Sequence, residues 1–240
     1  MINILHDNDA DAAVLSGKTI AIIGYGNQGS AQALCLRDSG VKVIIGETEE
    51  IGGKKNPSWE KAKEAGFDVF DVAAAASKAD IVHMLLPDEH HGHIYKDHIE
   101  KHMTKGKALS CSHGFNIVFK QIVPPADVDV IMVAPKSPAT EERKAYLEGF
   151  GVPGLVAVRQ DASGKARDIA LAIFGVKEEY LEAAFDEVDK QYGSIENYFS
   201  EGLGLNTEDQ QALRAVLLAR NTCIDSRHAG PPVQPSMHCP

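Results

Sequence analysis

Two side chains stand where they could do chemistry near neutral pH. His113 follows a short apolar run, 108–111, within Ser112-His113-Gly114-Phe115-Asn116. A histidine at such a strand end can polarise or protonate an oxygen; the alternative is a hydrogen-bonded structural histidine. Lys136 closes the next apolar run, 130–134. Its cation could meet an anionic substrate, or it is a surface lysine. A third group, Gly24-Tyr25-Gly26-Asn27-Gln28-Gly29, spaces its glycines as G-x-G-x-x-G. Gly24 permits a tight turn, Gly26 lets the backbone approach a pyrophosphate, and Gly29 lets a helix pack close to the sheet. A helix starting here aims its first N–H groups at a phosphate.

These residues need a sheet with its carboxyl edge turned towards them. The run Thr19-Ile20-Ala21-Ile22-Ile23 is short and mostly β-branched, and reads as a buried parallel strand. Residues 30–38 follow as a helix and 41–45 as a second strand. The same reading gives a helix over 59–65 closed by Gly66, a strand over 68–70 and an Ala-rich helix over 72–78. Further strands fall at 81–86, 108–111, 130–134 and 155–158, and a last helix at 165–173. The alternation predicts an α/β fold with a doubly wound, Rossmann-type parallel sheet. The ends of its strands carry Pro87-Asp88-Glu89-His90, His113 and Lys136 to the edge where ligands of such folds sit.

The second strand ends at Gly46-Glu47-Thr48-Glu49-Glu50, where a Rossmann domain selects its cofactor. Glu47 is placed to bond a ribose 2′-OH; Lys54 and Lys55, with Ser58, could instead accept a 2′-phosphate. A solvated charged loop is the plainer reading. Seven of the ten histidines fall between 83 and 113. His98 and His102 have zinc-ligand spacing on a helix. No nearby cysteine or carboxylate completes a set, so a solvated helix face is expected and no metal ligand is assigned.

The net charge of −10, with no basic stripe, argues against nucleic acid as the main partner. No apolar run approaches the ~18 residues of a membrane span, and residues 1–7 lack a signal-peptide layout. Four cysteines without a C-x-x-C pair point to inert thiols in a reducing cytoplasm. Three regions are expected: a dinucleotide-binding domain over 1–174, an acidic helical segment over 175–219, and a disordered tail over 220–240. In the second, apolar residues at 181, 184, 185 and 188 share one helix face. Thr207 and Gln210 there form a capping box. The tail contains Ala229-Gly230-Pro231-Pro232.

Several of these stretches strongly resemble ketol-acid reductoisomerase. They are 22–29, Leu86-Pro87-Asp88-Glu89, 112–117, Ile122-Val123-Pro124-Pro125, 130–136, 148–153 and 160–165. The resemblance covers about residues 1–173 and is to that family's N-terminal cofactor domain. The family converts 2-acetohydroxy acids to 2,3-dihydroxy acids in branched-chain amino-acid synthesis, using two Mg²⁺ ions and then NADPH. The resemblance implies that Tyr25, Gly26, Asn27 and Gln28 hold the pyrophosphate, and that Thr48 and Ser58 lie in the loop reading a 2′-phosphate. It implies that Pro87, Asp88, Glu89 and His90 line the cofactor, with Ala139 on its path. His113 matches the family's active-site histidine and Lys136 its catalytic-region lysine. A 2-acetohydroxy acid is the implied small-molecule partner, with a homo-oligomer or a helical-domain partner left open.

Three departures from the family pattern stand out. Thr48 replaces an arginine among acidic neighbours, which weakens NADP(H) preference and admits NAD(H). Ser137 and Ala139 replace glycines of a Pro-Lys-Gly-Pro-Gly stretch. No match to the family's helical metal-binding domain is found, so Mg²⁺ is implied without ligands. Residues 180–218 instead resemble the C-terminal end of microbial protein-tyrosine phosphatases, without the Cys-loop that ends in Arg, so no phosphatase activity is read from them. The expected function is a reductoisomerase-type oxidoreductase. A non-catalytic dinucleotide-binding remnant and a hydroxyacid dehydrogenase are the alternatives.

Overall fold

The computed structural model of the chain describes residues 10–174, together with 191–193, 197, 200, 201, 204 and 206. The chain divides into two compact units, one of residues 5–181 and one of 1–4 with 182–240. In the second, Asn197 Nδ2 donates to the Tyr192 carbonyl at 2.8 Å and Ser200 Oγ to the Asn197 carbonyl at 3.1 Å. Apart from such positions, the expected helical segment 175–219, its capping box and the tail 220–240 lie outside the described residues.

The larger unit follows the order β1 (Thr19–Ile23), α1 (Asn27–Asp38), β2 (Lys42–Gly46), β3 (Glu50–Ile51), β4 (Lys54–Lys55), α2 (Pro57–Glu64), β5 (Val69–Phe70) and α3 (Val72–Lys78). Then come β6 (Ile81–Met84), α4 (Asp88–Ile94), β7 (Ala108–Cys111), α5 (Phe115–Val118), β8 (Asp129–Pro135), α6 (Ala139–Leu147), β9 (Gly154–Gln160) and α7 (Ala166–Phe174). The main sheet has the order β5-β2-β1-β6-β7-β8-β9. β2 and β5 build outward on one side of β1 and β6 to β9 on the other, so the order reverses between β1 and β6. That switch point is where doubly wound sheets open a crevice at their carboxyl ends.

All five residues of β1 are buried because helices cover both faces. Alternation sends Ile20 and Ile22 to one face, with Ala33 and Leu36 of α1 and Ile169 and Ile173 of α7. Ala21 and Ile23 go to the other, with Val72, Ala75 and Ala76 of α3 and with Tyr95 and Ile99. Gly46 ends β2 where a Cβ would stand 2.5 Å from Ile23 Cδ1 and 3.0 Å from Ala75 Cβ, so α3 packs directly over it.

The expected strands and helices are present, but the sheet is not wholly parallel, and a hairpin and the helices α4, α5 and α6 are added. β9 pairs antiparallel with β8, with a register shift at Val130/Ile131. The return is pinned by Asp129, which is buried and accepts from the Ala162 and Ser163 N–H groups and from Ser163 Oγ. β3 and β4 form a hairpin inside the charged loop, its turn made by Gly52 and Gly53, both with positive φ. α4, α5 and α6 occupy stretches for which the apolar pattern predicts no element. His98 and His102 do lie on helical turns, but on a π-helical turn and a 3-10 turn respectively. No group of three metal-ligating side chains occurs among the described residues. No helix there is long and apolar enough to cross a membrane.

Candidate functional site

The glycine loop runs from the end of β1 into α1. Gly24 has φ +94°, and a Cβ there would meet Leu86 Cδ2 at 2.8 Å. Gly29 lies closer still: its Cβ would stand 2.0 Å from the Gly24 carbonyl oxygen, so the helix start packs against the turn itself. At Gly26 no atom lies within 4 Å of the Cβ position. Gly26 is also the N-cap of α1 and supplies no side-chain cap. An open cradle before uncapped N–H groups fits a pyrophosphate. Asn27 and Gln28 begin the helix, and Gln28 Nε2 donates to the Ser137 carbonyl at 3.1 Å. The Tyr25 ring turns into the core, 5.6 Å from Phe67 and edge-on to it, and burial pushes its hydroxyl pKa up. Any contact of Tyr25 with a ligand is therefore through its backbone.

At the end of β2 the Glu47 carboxylate is heavily engaged. Oε2 accepts from the Tyr25 N–H at 3.0 Å, and Oε1 from the Thr48 N–H at 3.1 Å and from Asn56 Nδ2 at 3.0 Å. Asn56, which sequence reasoning missed, is the hub of this loop. It is buried; Nδ2 also donates to the Thr48 carbonyl and Oδ1 caps α2 through the Ser58 N–H. Asn-Pro ahead of a helical run was the available signal, an N-cap followed by proline at the first helical position. Thr48 is exposed and Ser58 half-buried in the first turn of α2. Lys55 pairs loosely with Glu49 at 3.9 Å, both well exposed, and its Nζ lies 5.4 Å from the Trp59 ring centre.

Beyond the switch point, Pro87 caps α4 and Asp88, Glu89 and His90 form its first turn. His91 is buried and bonds the Leu86 carbonyl at 2.7 Å, so it serves the fold; burial lowers its pKa. His113 is exposed at the end of β7, with Nδ1 3.0 Å from Asp88 Oδ2 and 3.3 Å from the Phe115 N–H. Protonated, Nδ1 donates to the carboxylate; unprotonated, it accepts from the amide. In both states the hydrogen bonds run through Nδ1, and Nε2 makes none among the described residues. Asn116, also missed, is buried and donates to the Asp88 carbonyl at 3.0 Å, tying α4 to the histidine loop. A cavity of about 500 Å³ beside them is lined by Asp88, Glu89, Phe115 and Asn116, among others.

Lys136 is exposed just past β8, its N–H bonded to the Pro153 carbonyl at 2.8 Å. Because β7 and β8 are neighbours, His113 and Lys136 leave the sheet side by side. Ala139 is the first residue of α6, and its side chain is buried. Another cavity, about 510 Å³, runs along α1 past Cys35 and Glu142; none of the carboxyl-edge candidates lines it. Burial pushes Glu142 up to about 7.

A model of the acetohydroxy acid isomeroreductase NADPH-binding domain matches residues 14–176. A tyrosine phosphatase family model matches residues 137–219, overlapping it in part. The ketol-acid reductoisomerase (NAD(+)) of the uncultured archaeon GZfos26G2 is 66% identical over 172 residues, 72% of this chain and 52% of that protein. The ketol-acid reductoisomerase (NADP(+)) of Akkermansia muciniphila is 60% identical over 172 residues, 72% of this chain and 51% of its own. A solved NADH-preferring ketol-acid reductoisomerase from an uncultured archaeon superposes with TM-score 0.71 and 58% identity, over 78% of this chain and 61% of that one. The chain spans about half the length of the curated relatives it matches. With the glycine loop, the strand order and the histidine–lysine edge all in one unit, the chain belongs to the acetohydroxy acid isomeroreductase family through its NADPH-binding domain.

Proposed function

We propose that residues 10–174 bind a reduced nicotinamide dinucleotide at the carboxyl edge and serve the reduction half of ketol-acid reductoisomerase chemistry. The observation that carries this is the open cradle at Gly26 in front of the uncapped start of α1. Gly24, Gly26, Asn27, Gln28 and Gly29, with the Tyr25 backbone, form the pyrophosphate turn. Glu47, Thr48 and Ser58 border the adenosine ribose, and residues 87–90 flank the crevice at the switch point. The dinucleotide, when bound, supplies a hydride. His113 holds or gives a proton to the substrate oxygen, and Lys136 attracts the carboxylate of a 2-acetohydroxy acid. The described residues offer no clustered carboxylates for Mg²⁺, so no isomerisation step is assigned to them.

NADH is favoured over NADPH. A 2′-phosphate at the end of β2 would face Glu47, Glu49 and Glu50, with Lys54 and Lys55 as opposing cations. The relative named for NAD(+) and the NADH-preferring structure support the same choice. The test is calorimetric titration with NADH and NADPH. NADH should bind more tightly by up to about tenfold, since exposed charges are screened. Thr48→Arg should move the ratio towards NADPH through a charge-assisted bond. A wild-type protein that prefers NADPH a hundredfold, or an unchanged ratio in the variant, overturns the cofactor assignment.

A further inference from the structure

Behind the glycine loop a polar chain runs into the middle of the sheet. His83 sits fully buried in β6, and its Nε2 lies 2.8 Å from Oε1 of Gln32, itself buried on α1. Gln32 Nε2 donates to Gln28 Oε1 at 3.1 Å, and Gln28 Nε2 donates to the Ser137 carbonyl at 3.1 Å. A backbone carbonyl can only accept, so the last link fixes the sense of all the others. Gln28 must offer its NH₂ group to Ser137, and therefore its oxygen to Gln32. Gln32 must then offer its own oxygen to His83, which must carry its proton on Nε2. A carbonyl at the rim of the site sets the tautomer of a histidine in the core.

We propose that Gln32 and His83 are positioning residues for dinucleotide binding: their directional chain fixes the Gln28 carboxamide and ties the glycine loop to the loop bearing Lys136. The two loops leave β1 and β8, which are separated in the sheet by β6 and β7. Among the hydrogen bonds of the described residues, the Gln28–Ser137 bond is the direct side-chain link between them. Gln28 alone would be a half-buried side chain on the first turn of a helix, free to change rotamer. With Gln32 behind it, its oxygen is committed and only its NH₂ group faces Ser137. Both amides and the ring must hold one orientation together, because reversing an amide breaks the bonds on both its sides and turning the ring loses its bond to Gln32. Burial keeps the ring neutral, so the chain does not reverse by protonation near pH 7. The proposal rests on reading residues 24–29 as the dinucleotide site.

Two measurements test it separately. Nitrogen-15 spectra of the histidine rings in the full chain should show His83 as the Nε2–H tautomer. An Nδ1–H ring overturns the chain whatever the protein binds. The second is calorimetric titration with NADH of wild type, Gln32→Glu and His83→Gln, each checked by thermal melting. Gln32→Glu, titrated at a pH where the new carboxyl is ionised, keeps the shape but has no donor for Gln28, which must then turn its oxygen against the Ser137 carbonyl. Its affinity should fall about tenfold, while His83→Gln, which restores a donor towards Gln32, stays within about twofold of wild type. Equal affinity for folded Gln32→Glu and wild type overturns the positioning role while the dinucleotide reading stands. A wild type that does not bind NADH overturns that reading, and the positioning role with it, whereas the tautomer still decides the hydrogen-bond chain. Should Gln32→Glu fail to fold, Gln32→Met, which removes both links, takes its place with the same expected loss.

Discussion

The two halves of the carboxyl edge are built on opposite terms. On the β1–β2 side, the polar groups are spent on one another. Glu47 accepts three bonds, Asn56 makes three, and the amides of Gln28 and Gln32 are committed in series. On the β7–β8 side, His113 and Lys136 are exposed, and Phe115, Val118 and Phe119 stand out into solvent around the histidine. The difference matches two tasks. A dinucleotide is bound by a preformed turn, where any looseness costs affinity. A group that exchanges a proton has to keep one ring nitrogen uncommitted, and the hydrogen bonds of His113 run through Nδ1 alone.

The locked half is most vulnerable at Gly29. Gly29→Ala drives a methyl into the Gly24 carbonyl, backbone against backbone, and should cost about 3 kcal/mol or more in denaturant unfolding. Unchanged stability would mean the turn is soft and the locked half is not locked.

Acid should act next, and again on the locked side. Burial holds His83 down to about 4, against about 6.5 in the unfolded chain. The unfolded state therefore binds the extra proton, and stability is lost as pH falls from 6.5 towards 4. The loss from this group should approach about 3 kcal/mol below that window. His83→Gln should flatten that limb of the stability–pH curve; an identical slope in the variant would place the acid sensitivity elsewhere.

The open half should respond least. Asp88 and His113 form an exposed pair, so Asp88→Asn should change unfolding stability by less than about 0.5 kcal/mol. A loss of about 2 kcal/mol would show that the histidine edge is as tightly bound into the fold as the glycine loop.

Much of the locked half was legible in the sequence, because its constraints are steric and local. The bounds of β1, α3 and β7 follow from apolar runs ended by turn residues, and Gly24 makes the tight turn and Gly29 the close approach that their spacing implies. What was not legible depends on partners far along the chain. β9 reads as one more strand, and nothing in Leu155–Val158 states that it runs antiparallel; Asp129, some thirty residues earlier, fixes the return. Asn56 and Gln32 are unremarkable polar letters until Glu47 and His83 are placed beside them. Other features carried signals that went unread. Gly52-Gly53 marks a two-residue hairpin turn, and Pro138 followed by Glu141 and Glu142 marks the start of α6. Ala139 is expected along the cofactor's path because of its place in a family motif; the structure makes it the first residue of α6, with its side chain buried.

The central claim is that the preformed turn around Gly26 is a dinucleotide site, and titration of NADH into wild type and Gly26→Val tests it most directly. The added side chain meets nothing within the protein at its Cβ, so thermal stability should stay within a few degrees of wild type. Binding should fall at least about a hundredfold, because the side chain takes the space of the pyrophosphate. Equal NADH affinity in the two folded proteins would contradict the account.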